Sequence, residues 1–236
     1  MEDSLTAGSE VEGGAKDGGV TDNGVKGRIL DAAAEAFMRR GFGSTTIDDI
    51  ADDVGATKGL IYYHFRSKFD VFLAVYEEGM RRVREHVESH ACGDGSGRDR
   101  LVAMSQAHVL NLMRDIAYHN VVHQGVRAKE STELKIRQRD ALAALNDLRT
   151  DYERLFHRVL ATGIEDGSIR EVDAALATRT LLSSLNAVDM WYRRIDGQSD
   201  DDIQDLARQV VDVLIGGIAA PGQEPATAHR GPASGA

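Results

Sequence analysis

All three prolines of this chain fall at positions 221, 225 and 232, and residues 1 to 220 contain none. Proline inside a helix removes a hydrogen bond and clashes with the preceding turn, at about 3 kcal/mol, so a long proline-free stretch leaves helix formation unopposed. Period-two alternation is scarce in that stretch, whereas apolar residues recur at helical spacing. An all-α fold of about nine helices is therefore expected. With 42% hydrophobic residues in 236, the chain can bury a real core. Residues 1–24 are Gly-rich and acidic with almost no large apolar side chains, and 219–236 hold the prolines. Both are expected to be disordered tails.

Stop and start signals divide the interior. A first helix from Val25 to Arg40 carries Ile29, Leu30, Ala33, Ala36 and Phe37 as one stripe, with Gly41 as its stop. Thr46 and Asp49 form a T-x-x-D capping box for a short helix bearing Ile47, Ile50, Ala51 and Val54, which Gly55 ends. Thr57 caps a third helix reaching Phe65, with Ile61 and Phe65 inward, and Ser67 with Asp70 caps a fourth. Further helices are expected over Arg98–Met113, Ala117–Lys129, Glu133–Glu165 (with or without a break), Ala174–Arg194 after Asp173, and Asp200–Gly216 after Ser199. The expected units are 25–70 and 71–218.

The net charge is −10, yet its distribution matters more than its sum. Residues 1 to 25 hold six acids and one base, whereas 26 to 68 hold seven bases and six acids. Within "GATKGLIYYHFRSKFDVF", residues 55 to 72, no acid precedes Asp70. Two short helices joined at Gly55 have the form of a helix-turn-helix, whose second helix enters the major groove. Lys58 and Lys68 can neutralise phosphates, and Tyr62, Tyr63 and His64 can donate to phosphate oxygens. Gly59 costs on the order of 1 kcal/mol against alanine in a helix, so a bare surface there suits close approach of a base or phosphate. The alternative is that Tyr62 and Tyr63 are core aromatics and Gly59 is incidental.

The run "ILDAAAEAFMRRGFGSTTIDDIADDVGATKGLIYYHFRSKFDVFLAVYE", residues 29 to 77, resembles the N-terminal DNA-binding domain of the tetracycline-repressor-like (TetR) family of bacterial regulators. The shared elements are "A…F…GF…TT…IA…G…KG…YYHF…K…L", with Phe69 in place of the commoner glutamate. The resemblance implies that Thr46 contacts the DNA backbone, that Thr57, Lys58, Gly59, Leu60 and Tyr62 lie against base edges, and that Tyr63, His64 and Lys68 clamp phosphates. It also implies an all-α ligand-binding domain and a homodimer built mainly from the last two helices, through Leu181, Leu182, Leu185, Val188, Leu206, Val210, Val213 and Leu214. The implied function is a repressor that leaves a double-stranded inverted-repeat operator when a small molecule binds.

For the effector, "LNAVDMWYRRIDGQSDDDIQDLA", residues 185 to 207, resembles the "WY-R…G…S…I" segment of several members that respond to acyl-CoA or related CoA thioesters, with "RIDGQ" where a proline-glycine is common. That resemblance implies Trp191, Tyr192 and Arg193 near the ligand mouth or the dimer seam; Trp191 as a core or interface anchor is the alternative. Polar residues within apolar helices, namely His108, Asn111, Arg114, His119, His123 and Asn186, are further pocket candidates. His119 and His123, like His86 and His90, stand four apart, as two zinc ligands on a helix do, so a metal-responsive regulator remains a second reading. No cofactor and no catalytic centre is expected: "CGDGSG" at 92–97 lacks the lysine-serine ending of a phosphate loop, and no nucleophile elbow occurs. Cys92 has no partner for an internal disulfide. No apolar run reaches the roughly 18 residues of a membrane span, and the N-terminus is acidic where a signal peptide is basic then apolar, so a cytoplasmic protein without membrane contact is expected.

Overall fold

The computed structural model describes residues 22–128 and 135–216. Residues 1–21 of the expected N-terminal tail, Lys129, Glu133 and the segment beyond Gly216 lie outside the described residues, whereas residues 22–24, expected in that tail, begin the first helix. Among those described, every regular element is helical, and no helix is long and apolar enough to cross a membrane.

Helix α1 (Asp22–Ser44) is broken at Gly41, whose φ of 77° only glycine adopts readily. Its stripe Ile29, Leu30, Ala33, Ala36 and Phe37 is buried. Helix α2 (Ile47–Val54) and helix α3 (Lys58–His64) follow, then the long α4 (Lys68–Ala91). Phe69 is buried against Phe42 and Phe72, with ring centroids 6.1 and 6.2 Å away. An aromatic cluster thus accounts for the residue that departs from the family pattern.

Next come α5 (Gly97–Arg114), α6 (Ile116–Ala128) and α7 (Ile136–Glu165), the last unbroken over its whole length. Helices α5 and α7 cross so closely that a Cβ on Gly97 would lie 2.2 Å from the Gly163 nitrogen. The first amides of α5 are capped from the α7 exit, Gly97 N–H by Asp166 Oδ2 at 2.7 Å and Arg98 N–H by Ser168 Oγ at 3.0 Å.

The helix expected over 174–194 is divided into α8 (Ala174–Asn186) and a single turn, α9 (Val188–Trp191). It stops three residues early because Tyr192, in extended conformation, turns into the core at 3% exposure. The Arg193 guanidinium then donates to the freed carbonyls of Asp189 (2.9 Å) and Tyr192 (2.6 Å). Helix α10 (Asp200–Val211) starts from a Ser199–Asp202 capping box and ends in a π-helical turn, Asp212–Gly216.

One buried cluster runs from Ile29, Phe37, Ile50 and Ile61 through Phe72, Tyr76 and Val83 on α4 to Leu112, Phe156, Leu185 and Ile203. Helix α4 therefore joins the α1–α3 unit to the rest without a gap in the core. Leu182, Leu185 and Val188, expected at a dimer seam, are at most 6% exposed within one chain. The apolar side chains left outward near the C-terminal helices are Leu176, Met190, Trp191, Ile195, Val213 and Leu214.

Candidate nucleic-acid interface and ligand cavity

The α2–α3 pair is shaped by local chemistry. Thr46 Oγ1 accepts from Asp49 N–H (3.1 Å) while Asp49 Oδ2 accepts from Thr46 N–H (2.8 Å), the reciprocal box expected from sequence. That backbone hydrogen bond holds the Asp49 carboxyl below its usual range. Gly55 (φ 69°, ψ 37°) makes the left-handed stop, and Thr57 Oγ1 accepts from Leu60 N–H to begin α3. Ile50, Ile61 and Phe65 are buried between the helices and Val54 is half-buried.

The opposite face of α3 is open. Thr57, Lys58, Gly59, Tyr62, Tyr63 and Arg66 are exposed, Tyr63 at 76%, so the tyrosines are not core aromatics. A Cβ on Gly59 would meet only Thr57 Oγ1, at 3.7 Å, so nothing in the chain's own packing requires that glycine. Leu60 is half-buried. Lys58 Nζ is paired with Asp48 Oδ2 at 2.8 Å.

Two expected phosphate clamps are placed differently. Lys68 Nζ donates to the carbonyls of Phe42 (2.6 Å), Gly43 (3.2 Å) and Thr45 (2.6 Å) and lies over the Phe42 ring. An ammonium has three protons, and all three are committed to closing the α1–α2 junction. Burial pulls the Lys68 ammonium below the usual lysine range. The His64 side chain is only 6% exposed, its ring against Tyr63 and Phe65, and its Nε2 lies 3.7 Å from Asp22 Oδ1.

A cavity of about 590 Å³ lies between α4, α5, α6, α7, α8 and α9. Of the expected pocket residues, His108, His119, His123, Asn186 and Arg193 line it. Three do not. Arg114 is bound to Asp200 Oδ2 at 2.7 Å, Trp191 is 54% exposed with its ring against Tyr192, and Asn111 is buried behind the wall, holding His119. Sequence reasoning missed Tyr152, Arg149, Glu153 and Asp189 on the lining. Tyr152 falls among the buried apolar residues Leu145, Leu155, Phe156 and Val159 of α7, and the i, i+4 spacing of Arg149 and Glu153 reads equally as a surface pair.

Several polar side chains of the wall contact one another. His123 Nδ1 meets Asp189 Oδ2 at 2.7 Å, and Arg149 pairs with Glu153. His108 Nδ1 accepts from the Tyr152 hydroxyl (2.8 Å), which leaves its Nε2–H to donate to Asn186 Oδ1 (3.2 Å). Burial pulls His108 down to about 4 and His119 well below the usual histidine range, so both are neutral near pH 7. Among the described residues no group of three His, Cys, Asp or Glu converges as metal ligands would; His119 is held by Asn111 and His123 by Asp189.

The sequence profile described as "Bacterial regulatory proteins, tetR family" matches residues 29–75, and "Tetracyclin repressor-like, C-terminal domain" matches residues 94–218. The chain is 28% identical over 204 residues to the "HTH-type transcriptional repressor KstR2" of Rhodococcus jostii, covering 84% of this chain and 93% of that protein. It is 24% identical over 193 residues to the "Fatty acid metabolism regulator protein" of Bacillus subtilis, covering 81% and 94%. The crystal structure of AibR, in complex with isovaleryl coenzyme A and operator DNA, superposes with a TM-score of 0.64 at 21% identity, over 81% of this chain and 98% of that one, a likeness of fold. With its helix-turn-helix, its all-helical second half and a match over more than half its length, the chain belongs to the TetR family of DNA-binding transcriptional regulators.

Proposed function

We infer that the chain is a dimeric repressor that reads an inverted-repeat operator through the exposed face of α3 and is released when an acyl thioester, such as an acyl-CoA, enters the cavity. One observation carries the choice of effector: the buried histidines of the cavity wall are neutral, and Arg149 on the same wall is paired with Glu153. A free carboxylate taken in beside His108 and His119 meets no cation there, and burying it unpaired is costly. An uncharged acyl chain with a carbonyl suits the mixed lining of Met80, Val83, Leu182, Tyr152 and Asn186, and the volume falls within the range of small-molecule sites. A phosphorylated head group would stay in solvent at the rim, where Arg193 is exposed. A repressor and a fatty acid regulator among the relatives, and a CoA thioester bound to AibR, support the same reading.

The outward Leu176, Val213 and Leu214, with the half-buried Leu181, Leu206 and Val210, are the residues proposed to meet a second copy. Two linked α3 helices would then address half-sites one helical turn apart.

The test is fluorescence anisotropy on an operator selected from random duplexes by the protein itself. Acyl-CoA thioesters of graded chain length are expected to weaken operator binding and raise the melting temperature, by roughly 2.7 kcal/mol of stabilisation at a hundredfold excess over Kd. The matching free acids are expected to do neither, and release by free acids alone would refute the thioester assignment.

A further inference from the structure

The cavity is tied to α1 by an unbroken series of hydrogen bonds, and we propose that this series, with Arg82 at its centre, couples cavity occupancy to the placement of the DNA-reading helices. The inference rests on reading the cavity as the effector site. His119 of α6 lines the cavity, and its Nε2 donates to Asn111 Oδ1 on α5 at 3.1 Å. Asn111 Nδ2 donates to Asp115 Oδ2 at 3.1 Å, and the other oxygen of Asp115 accepts from Arg82 Nη1 on α4 at 3.0 Å. Arg82 Nη2 then donates to Asp31 Oδ1 on α1 at 3.1 Å.

Each link has only one sense. Asp115 can only accept, so the Asn111 amide must present its nitrogen to Asp115 and its oxygen to His119, which fixes the proton on His119 Nε2. His119 and Asn111 are 7% and 2% exposed. A ligand that displaces the His119 ring must either carry Asn111 with it or leave two buried polar groups unpaired. Burial, which keeps His119 neutral, keeps its second nitrogen free as an acceptor.

Arg82 is held on every side. Its Nε donates to Glu78 Oε1 at 2.8 Å, and its guanidinium lies 4.1 Å from the centre of the Tyr118 ring. Tyr118, almost fully buried, sends its own hydroxyl to the same Asp31 oxygen at 2.7 Å. Asp31 is itself exposed, so the Arg82 link alone would be screened there; the Tyr118 hydroxyl reinforces it. From α1 the path reaches the recognition unit through Arg39–Asp53 (3.0 Å) and Arg40–Asp49 (2.9 Å) on α2. Arg82 is thus a positioning residue: it touches neither the cavity nor the DNA-reading face, but connects the elements that do.

Spatial connection alone does not establish coupling, so the test is a double-mutant cycle that needs no identified effector. His119→Phe keeps a ring in the wall and removes the N–H; Asp115→Asn breaks the middle of the series. Both are made singly and together, and two readouts are taken: Kd for the selected operator, and amide hydrogen exchange across residues 29–37. His119→Phe is expected to change operator Kd about fivefold or more in the wild-type background. With Asp115→Asn already present, the change is expected to shrink below about twofold. Exchange rates in α1 are expected to follow the same pattern.

A merely structural role lowers the melting temperature of each variant but leaves the two fold-changes equal; equal fold-changes, or none in either background, would overturn the coupling. Should His119→Phe not fold, Asn111→Leu takes its place with the same expectation. If the wild-type protein selects no duplex, the operator reading fails, and the exchange measurements still decide the coupling.

Discussion

The Tyr152 hydroxyl, on α7, donates to His108 Nδ1, on α5, across 2.8 Å inside the cavity wall. The two rings lie 5.9 Å apart and nearly parallel, and Phe156 packs edge-on against both. Tyr152 is the only donor to that nitrogen among the described residues, and burial pushes its hydroxyl well above the usual tyrosine range, so it remains a donor at any working pH. Tyr152→Phe leaves the ring packing in place and the His108 acceptor unpaired. The expected cost is about 1–3 kcal/mol of folding stability, read from urea denaturation at pH 7. An unchanged midpoint would mean that water or a rotated His108 replaces the hydroxyl.

His108 also sets a pH dependence. Its pKa falls from 6.5 to about 4 on folding, through burial, and that of His119 falls as well. A depressed histidine pKa means that the unfolded chain binds the proton first. Stability is therefore full above pH 6.5 and is lost as pH drops towards 4. For His108 alone the loss is about 3 kcal/mol across that window. The capping carboxylates Asp49, Asp99 and Asp202 are held below 3.8, so their contributions vanish only at lower pH. His108→Gln is expected to flatten the slope of unfolding free energy between pH 6.5 and 4.5 by about one proton. A slope that the substitution leaves intact would move the effect to other groups.

Gly59 separates stability from function. Since an added Cβ meets only Thr57 Oγ1 at ordinary contact distance, Gly59→Ala is expected to raise stability by roughly 0.5–1 kcal/mol through helix propensity. The same methyl would stand between α3 and the groove, so operator affinity is expected to fall about tenfold. Opposite movements of melting temperature and affinity are the signature; affinity that holds would show that no base or phosphate comes close there.

What the sequence disclosed, and what it withheld, follows the range of the forces involved. Thr46 with Asp49, Thr57, Ser67, Asp173 and Ser199 all cap the helices they were expected to cap, because a cap is decided within three residues. The end of α9 was not legible, because no glycine or proline marks it: the chain leaves the helix to bury Tyr192, a tertiary cause. Lys68 looked like a phosphate ligand, yet its carbonyl partners stand 23 to 26 residues earlier. Arg114 looked like a pocket residue, yet Asp200 holds it from 86 residues away. Spacing named which polar residues were unusual in α5 and α6, but not which side of each helix faces the cavity. His108 and His119 fell on that side; Asn111 fell behind it.

The last prediction concerns the acid beside the recognition helix. Asp48 lies 2.8 Å from Lys58 Nζ, and both side chains are at least half exposed. An exposed pair of this kind contributes little to folding, so Asp48→Asn is expected to leave stability within about 0.5 kcal/mol. It removes a negative charge next to the groove face and frees Lys58 to meet phosphate. Operator affinity is therefore expected to rise, and most at low salt, where phosphate contacts weigh heaviest. Lys58→Ala should do the reverse, weakening binding by a similar factor on every duplex and lowering the slope of log Kd against log salt by about one. Titrations of both variants from 50 to 200 mM salt, a span of roughly this size being enough to resolve one phosphate contact, decide the matter. If Asp48→Asn weakens binding instead, Asp48 is orienting Lys58 rather than restraining it, and the pair reaches the DNA as a unit.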